Sequence, residues 1–256
     1  MLSVLGRNVG YVSDGVFSLT SANDFTDRQK DAWDLVRAAI DSELPCYGWE
    51  LAVPEYYLVY GYDDVGYYYR DFDGTSRGPK PWHELGESEI GVLEMYHLKP
   101  GAPVDDTIAV KDALEFALEI AESPTKWILP GYQGGIAGFD TWIRALESGK
   151  IDSVGNAYNA VVWHECRRYA AAFLREAQRR IGGGVTSLFD EAIRQYSVVA
   201  EHLARFSKLF PFTGPNTTGE EVKVTECVRK GLDHLRTARA AEESGLRTLE
   251  RIARSV

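Results

Sequence analysis

The sequence predicts an α+β fold: an antiparallel sheet with helices in the N-terminal part, followed by an α-helical C-terminal lobe. Three observations carry this reading. From Leu44 to Asp71 the chain reads LPCYGWELAVPEYYLVYGYDDVGYYYRD and holds eight of the fourteen tyrosines. Its short β-prone runs are broken by Pro54 and by an Asp-Asp-Val-Gly turn, the pattern of three successive antiparallel strands. Beyond residue 138 nearly every stretch repeats apolar residues at helical spacing. Between the two regimes lies WILPGYQGGIAG, residues 127–138, a glycine-rich connection of the kind that marks a hinge or lobe boundary. The predicted domains are therefore 1–126, α+β, and 138–256, helical.

Taken in order, residues 1–22 mix short apolar runs with glycines and read as one or two minor strands or an irregular arm. Thr26 precedes DRQKDAWDLVRAAIDSE, where Trp33, Val36, Ala39 and Ile40 share one helical face and Asp27 favours the first turn through the helix dipole. That helix ends before Pro45. The Tyr-rich strands follow, and turn residues then flank a further strand from Ile90 to Leu98. Asp105 and Asp106 lead into TIAVKDALEFALEIAES, whose stripe of Val110, Ala113, Leu114, Ala117 and Leu118 stops at Pro124. Helices are predicted at 138–148, 157–181 with Asn156 as its cap, 186–209 and 218–254, with residues 211–219 as a surface loop.

Composition narrows the function. A net charge of -10 argues against a nucleic-acid or anionic-membrane partner, because phosphate binding needs clustered Lys and Arg. The first residues lack the basic-then-apolar pattern of a signal peptide, and no uninterrupted apolar run is long enough to span a bilayer, so a soluble cytoplasmic protein is expected. The three cysteines, Cys46, Cys166 and Cys227, are far apart without CxxC spacing. They are read as reduced thiols, not as a disulfide framework or zinc site. The histidines, His83, His97, His164, His202 and His234, are equally scattered, so no metal site and no cofactor are predicted. GYQGG lacks the lysine of a phosphate loop.

Two places gather chemistry. Glu55 follows Pro54 at the mouth of an aromatic strand, where a carboxylate flanked by Tyr56 and Tyr57 is placed to bind a ligand cation or accept hydrogen bonds. Asp63 and Asp64 are better explained as turn formers, a reading that extends to Asp71 and Asp73 as an alternative to ligand binding. At the start of the helix from Ala157, Tyr158, Asn159, Trp163, His164, Glu165 and Cys166 cluster, with Asn159, Trp163 and Cys166 on one face. His164 and Cys166 point nearly opposite ways, at ~100° per residue, and cannot form a nucleophile–base pair. Cys46 and Cys166 are both read as core thiols.

The string PEYYLVYGYDD resembles the second half of a papain-like cysteine peptidase fold of the bacteriocin-processing type. Helix, Pro45-x-x-x-Trp49 strand, Gly61-Tyr62-Asp63 hairpin, Trp82-x-x-Leu85 segment and helical C-terminal lobe together resemble proteins with a butirosin-biosynthesis H-type N-terminal domain. That family includes an acyltransferase that moves an acyl group from a carrier protein to an aminoglycoside. The resemblance covers residues 30–98 by motif and implies a catalytic histidine where this chain has Glu55 and an orienting Asn or Asp near Asp71. It also implies an upstream nucleophile, yet residues 1–43 contain no cysteine. A carboxylate, with a pKa near ~4, is a weak base for a thiol at neutral pH.

The leading expectation is a non-catalytic small-molecule-binding or sensing protein on a degenerate papain-like scaffold. Its ligand would be an amine or polyol, held between the lobes by Trp49, Glu55, Tyr57 and Asp71 together with Tyr158, Asn159 and Trp163. The alternative is an acyl- or amide-transfer or hydrolytic cysteine enzyme using Cys46 or Cys166 with His164, His83 or Glu55 as base. A third reading is homo-oligomerisation through the long charged C-terminal helix.

Overall fold

The computed structural model describes residues 2–123, 125–128, 131–214 and 217–256. Pro124, expected to stop a helix, and Leu129, Pro130, Pro215 and Asn216, parts of two expected loops, lie outside the described residues. The chain divides into two compact units, one ending at Asp105 and the other beginning at Asp106.

In the first unit, α1 (Leu2–Leu5) and a 3-10 turn lead into β1 (Tyr11–Leu19) and α2 (Phe25–Asp41). The strands β2 (Cys46–Trp49), β3 (Tyr56–Tyr62), β4 (Gly66–Arg70), β5 (Ser76–Pro81) and β6 (Val92–Pro100) follow. They form one six-stranded sheet in the order β1-β6-β2-β3-β4-β5, with every neighbouring pair antiparallel. The Tyr-rich stretch is thus the expected triplet, β2 to β4. Two elements differ from expectation. Residues 1–22, read as one or two minor strands or an irregular arm, contain the nine-residue β1, which pairs with β6 from Tyr11↔Pro100 to Leu19↔Val92. β5 was unforeseen because SRGPKP carries a glycine and two prolines. Such a segment is tolerated only at a sheet edge, where it lies.

Side-chain alternation decides where the tyrosines go. One face of the sheet packs under α2, whose Ala32, Trp33, Val36 and Ala39 are buried in a core with Tyr57, Val59, Tyr67, Tyr69, Leu93 and Met95. Trp33 meets Tyr67 edge-on at 5.2 Å and Tyr62 at 5.6 Å. A register shift between Val59 and Gly61 is what turns Tyr62 onto this face. The opposite face carries Tyr47 stacked on Tyr96 at 5.2 Å and Tyr56 set edge-on to Trp49 at 5.1 Å. Gly15 stands opposite Tyr96, and a Cβ there would come within 2.3 Å of that ring. The helix begins at Phe25, with Asp24 and not Thr26 at the N-cap, because burying Phe25 draws the first turn two residues earlier.

The second unit is helical: α3 (Asp106–Glu122), α4 (Gly135–Glu147), α5 (Ser153–Ile181), α6 (Thr186–Leu209) and α7 (Thr225–Ala253). α3, grouped from the sequence with the sheet, buries Val110 and Leu114 here against Leu174, Phe189, Leu249 and Ile252. A second core gathers Phe139 and Leu146 of α4 with Leu203 and Phe206 of α6 and Leu235 and Ala238 of α7. The apolar stripe of α7 is thereby used inside the unit. Between α5 and α7, Arg167 Nε donates to Glu242 Oε2 at 2.7 Å. Desolvation opposes the guanidinium charge, but the adjacent carboxylate holds its proton affinity above the ordinary value. No helix among the described residues is long and apolar enough to cross a membrane.

Trp33→Ala removes the ring on which Tyr62 and Tyr67 close and lowers the stability of the sheet unit by about 3–5 kcal/mol in urea denaturation. His234 on α7 faces His202 and Arg205, and burial, reinforced by these two groups and only partly offset by Asp233, lowers its basicity. The unfolded chain therefore takes up this proton more readily. Stability is full above the unfolded value of about 6.5 and falls as pH drops through and below it. Urea midpoints measured at about pH 7.5 and about pH 5.5 should show the loss, and His234→Gln should flatten it.

Candidate functional site

An open concavity of the helical unit lies between α4 and the first turns of α5. α4 is anchored on α7 by two ion pairs, Arg239–Asp140 and Arg236–Glu147, both at 2.6 Å. Its Trp142 sits edge-on to Phe206 at 5.1 Å. α5 is capped by Asp152, whose carboxylate accepts from the backbone N–H of Gly155. Asn156, expected as the cap, is instead inside the helix and only 3% exposed. Trp142 Nε1 donates to its Oδ1 at 2.7 Å. An indole nitrogen only donates, so this bond fixes which end of the amide is oxygen. The Nδ2 group, buried, has no hydrogen-bond partner among the described residues. An unmet buried donor of this kind costs about 1–3 kcal/mol.

Asn156 lines a cleft of about 460 Å³, within the range of small-molecule sites. Asn159, one turn further along α5, lines it too, with Asp152 at the rim and Ile151 and Ala145 as apolar wall. Across it, Arg144 Nη2 donates to Thr141 Oγ1 and Thr141 donates to Gln133 Oε1, each at 3.0 Å. Gly138 allows this closure, since a Cβ there would lie 2.7 Å from the Gln133 carbonyl. The lining is thus rich in amides and hydroxyls, with one cation and one carboxylate.

The residues singled out from the sequence are dispersed. Tyr57 is a core residue on the α2 face, edge-on to Tyr69 and tilted against Phe72, and its hydroxyl accepts from the Val53 N–H at 3.1 Å. Trp49 is on the opposite face, its Nε1 buried without a hydrogen-bond partner among the described residues. Glu55 is exposed on the bend before β3, where its carbonyl accepts from the Glu50 N–H at 2.8 Å. Asp71 forms the β4–β5 turn, accepting from the Phe72 N–H at 2.8 Å and pairing with Arg77 at 3.1 Å. In the helical unit Tyr158 is exposed and edge-on to Phe212 at 5.4 Å. Arg167 lies over the exposed Trp163 at 5.1 Å. Of the three, only Asn159 lines the cleft. Cys166 shares the outward face with Asn159 and Trp163 and is exposed, not a core thiol.

A second arrangement comes from strand register. Cys46 on β2 is directly opposite His97 on β6, and His97 is directly opposite Asp14 on β1. Directly opposed residues point to the same face, so thiol, imidazole and carboxylate stand in one row on three adjacent strands. Cys46 is 1% exposed and its Sγ–H faces the Leu44 carbonyl at 3.7 Å. Burial pushes this thiol up to about 11. Burial likewise lowers the basicity of His97, with Lys99 adding to it, and its Nδ1 has no hydrogen-bond partner among the described residues.

No family model and no curated protein matches this chain. Among the described residues no group of three or more His, Cys, Asp or Glu converges as a metal site. Sequence reading missed Asn156 as a site residue because a helix start offers several capping side chains, and Asp152 took that role. It missed His97 because cross-strand register has no local signature. The thiols separate the environments in a direct test: iodoacetamide at neutral pH should alkylate the exposed Cys166 in the native protein and leave Cys46 unmodified until denaturant is added, as read by peptide mass spectrometry.

Proposed function

We infer that this is a non-catalytic small-molecule-binding or sensing protein, and that the α4–α5 cleft holds a hydroxylated ligand of the polyol class. The observation that carries this is the buried, unpartnered Nδ2 of Asn156. It is a donor and calls for an acceptor. An ammonium has only donors, so an amine does not meet the need, whereas a hydroxyl accepts from Asn156 and still donates elsewhere. Asn159, Gln133 and Asp152 supply such further partners along the cleft. The sheet unit belongs to the reading as a scaffold that resembles the papain-like fold without an imidazole at the position of Glu55.

A panel of polyols, sugars and amines tested by thermal shift and by tryptophan fluorescence examines this. Polyols should stabilise the protein and amines should not. Asn156→Asp keeps the acceptor for Trp142 and removes the donor, and should weaken binding roughly tenfold, about 1.4 kcal/mol. Asn159→Ala, at an exposed position, should weaken it without affecting folding. Absence of any saturable polyol binding, or binding indifferent to both substitutions, refutes the reading.

The Cys46–His97–Asp14 row supports a second reading, an acyl- or amide-transfer or hydrolytic cysteine enzyme related to the butirosin-biosynthesis family. There the Cys46 proton passes to His97 as sulfur attacks the acyl carbon of a thioester, the donor's C–S bond breaks, and His97 hands the proton to the departing thiolate. Incubation with a small acyl thioester should then leave the acyl mass on the Cys46 peptide. An unmodified peptide removes the reading.

A further inference from the structure

α6 and α7 bring two histidines together at a point neither the cleft nor the sheet uses. His202 and His234 are half-buried, their ring centroids are 5.2 Å apart, and the planes cross at 68°. Their Nδ1 atoms face each other at 3.2 Å. Two facing Nδ1 atoms either share one proton or hold one electrophile between them. The spacing suits the second as well as the first. Zinc–nitrogen bonds of about 2.0–2.1 Å at a tetrahedral angle place two imidazole nitrogens roughly 3.3–3.4 Å apart.

We propose that His202 and His234 form a two-histidine site for a divalent transition metal, of which Zn²⁺ is the type, clasping α6 to α7. Imidazole is a ligand suited to zinc, copper and nickel and poorly suited to magnesium or calcium. No third His, Cys, Asp or Glu converges among the described residues, so water fills the remaining positions and the site is open and exchangeable. The surrounding charges permit it. Arg205, which faces His234, is paired with Glu201, and Asp233 beside His234 is paired with Arg229. On binding, the proton shared between the two Nδ1 atoms leaves to solvent or to an Nε2, and both lone pairs go to the metal. Because the pair bridges helices whose Phe206 and Leu235 share one core, metal binding adds to the stability of that packing.

The test uses zinc chloride with the full chain in chelator-free buffer, by calorimetry and thermal denaturation, with magnesium chloride as control. Expected are one Zn²⁺ per chain, a raised melting temperature and no effect of magnesium. His202→Gln and His234→Gln should each weaken zinc binding by more than about tenfold, while His83→Gln leaves it unchanged. Since a substitution between helices can disturb folding, Co²⁺ absorption supplies a second measurement: a d–d band in the native protein, lost in both variants whose circular dichroism stays native. Saturable zinc binding that persists in the double variant, or no saturable binding in the native protein, overturns the proposal.

Discussion

The hydrogen bond from Trp142 to Asn156 is the constraint on which the helical unit's cleft depends. It joins α4 to α5 at 2.7 Å and makes an otherwise ambiguous amide unambiguous. The indole is held in turn by its edge-on contact with Phe206, and α4 is tied to α7 by Arg239 and Arg236. Each of these is a contact to a rigid element, so the wall that presents Asn156 is set by packing and not by a loop. The bond also uses the only acceptor of that amide and leaves the donor for something else. Had Asn156 capped the helix, its side chain would have been spent on a backbone N–H. Asp152, the last residue of the short connection between α4 and α5, relieves it of that duty.

What was legible in the sequence follows from the range of the forces involved. The helices from Phe25 and Asp106 and the triplet β2 to β4 were readable because hydrophobic period and turn chemistry act over a few residues. β1 was read only as a minor strand because its partner, β6, is some eighty residues away, and register across that distance leaves no local pattern. The grouping of α3 with the sheet failed for a similar reason: its stripe of Val110 and Leu114 announces a helix but not the surface it covers. Of the cleft, Asn159 was legible by its neighbours on the helix face. Trp142 was not, since an indole on an amphipathic helix looks the same whether its N–H is spent on water or on Asn156.

The tyrosines show how one compositional signal splits into two physical roles. Alternation sends Tyr57, Tyr67 and Tyr69 into the core beneath α2, where they supply area and edge-on contacts. Tyr47, Tyr56 and Tyr96 stay on the other face, with the Tyr56 hydroxyl donating to Glu94 at 2.6 Å. Burial and the Glu94 carboxylate both keep Tyr56 and Tyr96 protonated well beyond the ordinary range. These hydroxyls therefore act as neutral donors at every physiological pH. A dense run of tyrosines is in this sense weaker information about a ligand than about a sheet that needs aromatic surface on both sides.

The row of Cys46, His97 and Asp14 shows why proximity and chemistry must be argued separately. Cross-strand register brings the three side chains to one face as surely as any active-site loop. An activated cysteine, however, needs the thiolate and imidazolium stabilised together, through nearby positive charge and access to water. Here burial raises the thiol and lowers the imidazole, so both shifts favour the neutral pair, and the only carboxylate in the row sits on the exposed edge strand. To run forward, the pair would have to be moved out of its low-dielectric surroundings, which means opening the sheet core that Leu93 and Met95 share with α2. The cleft beside Asn156 needs no opening of a core, because the concavity that this residue lines is already formed between α4 and α5. That difference in preorganisation is what ranks binding in the helical unit above catalysis in the sheet.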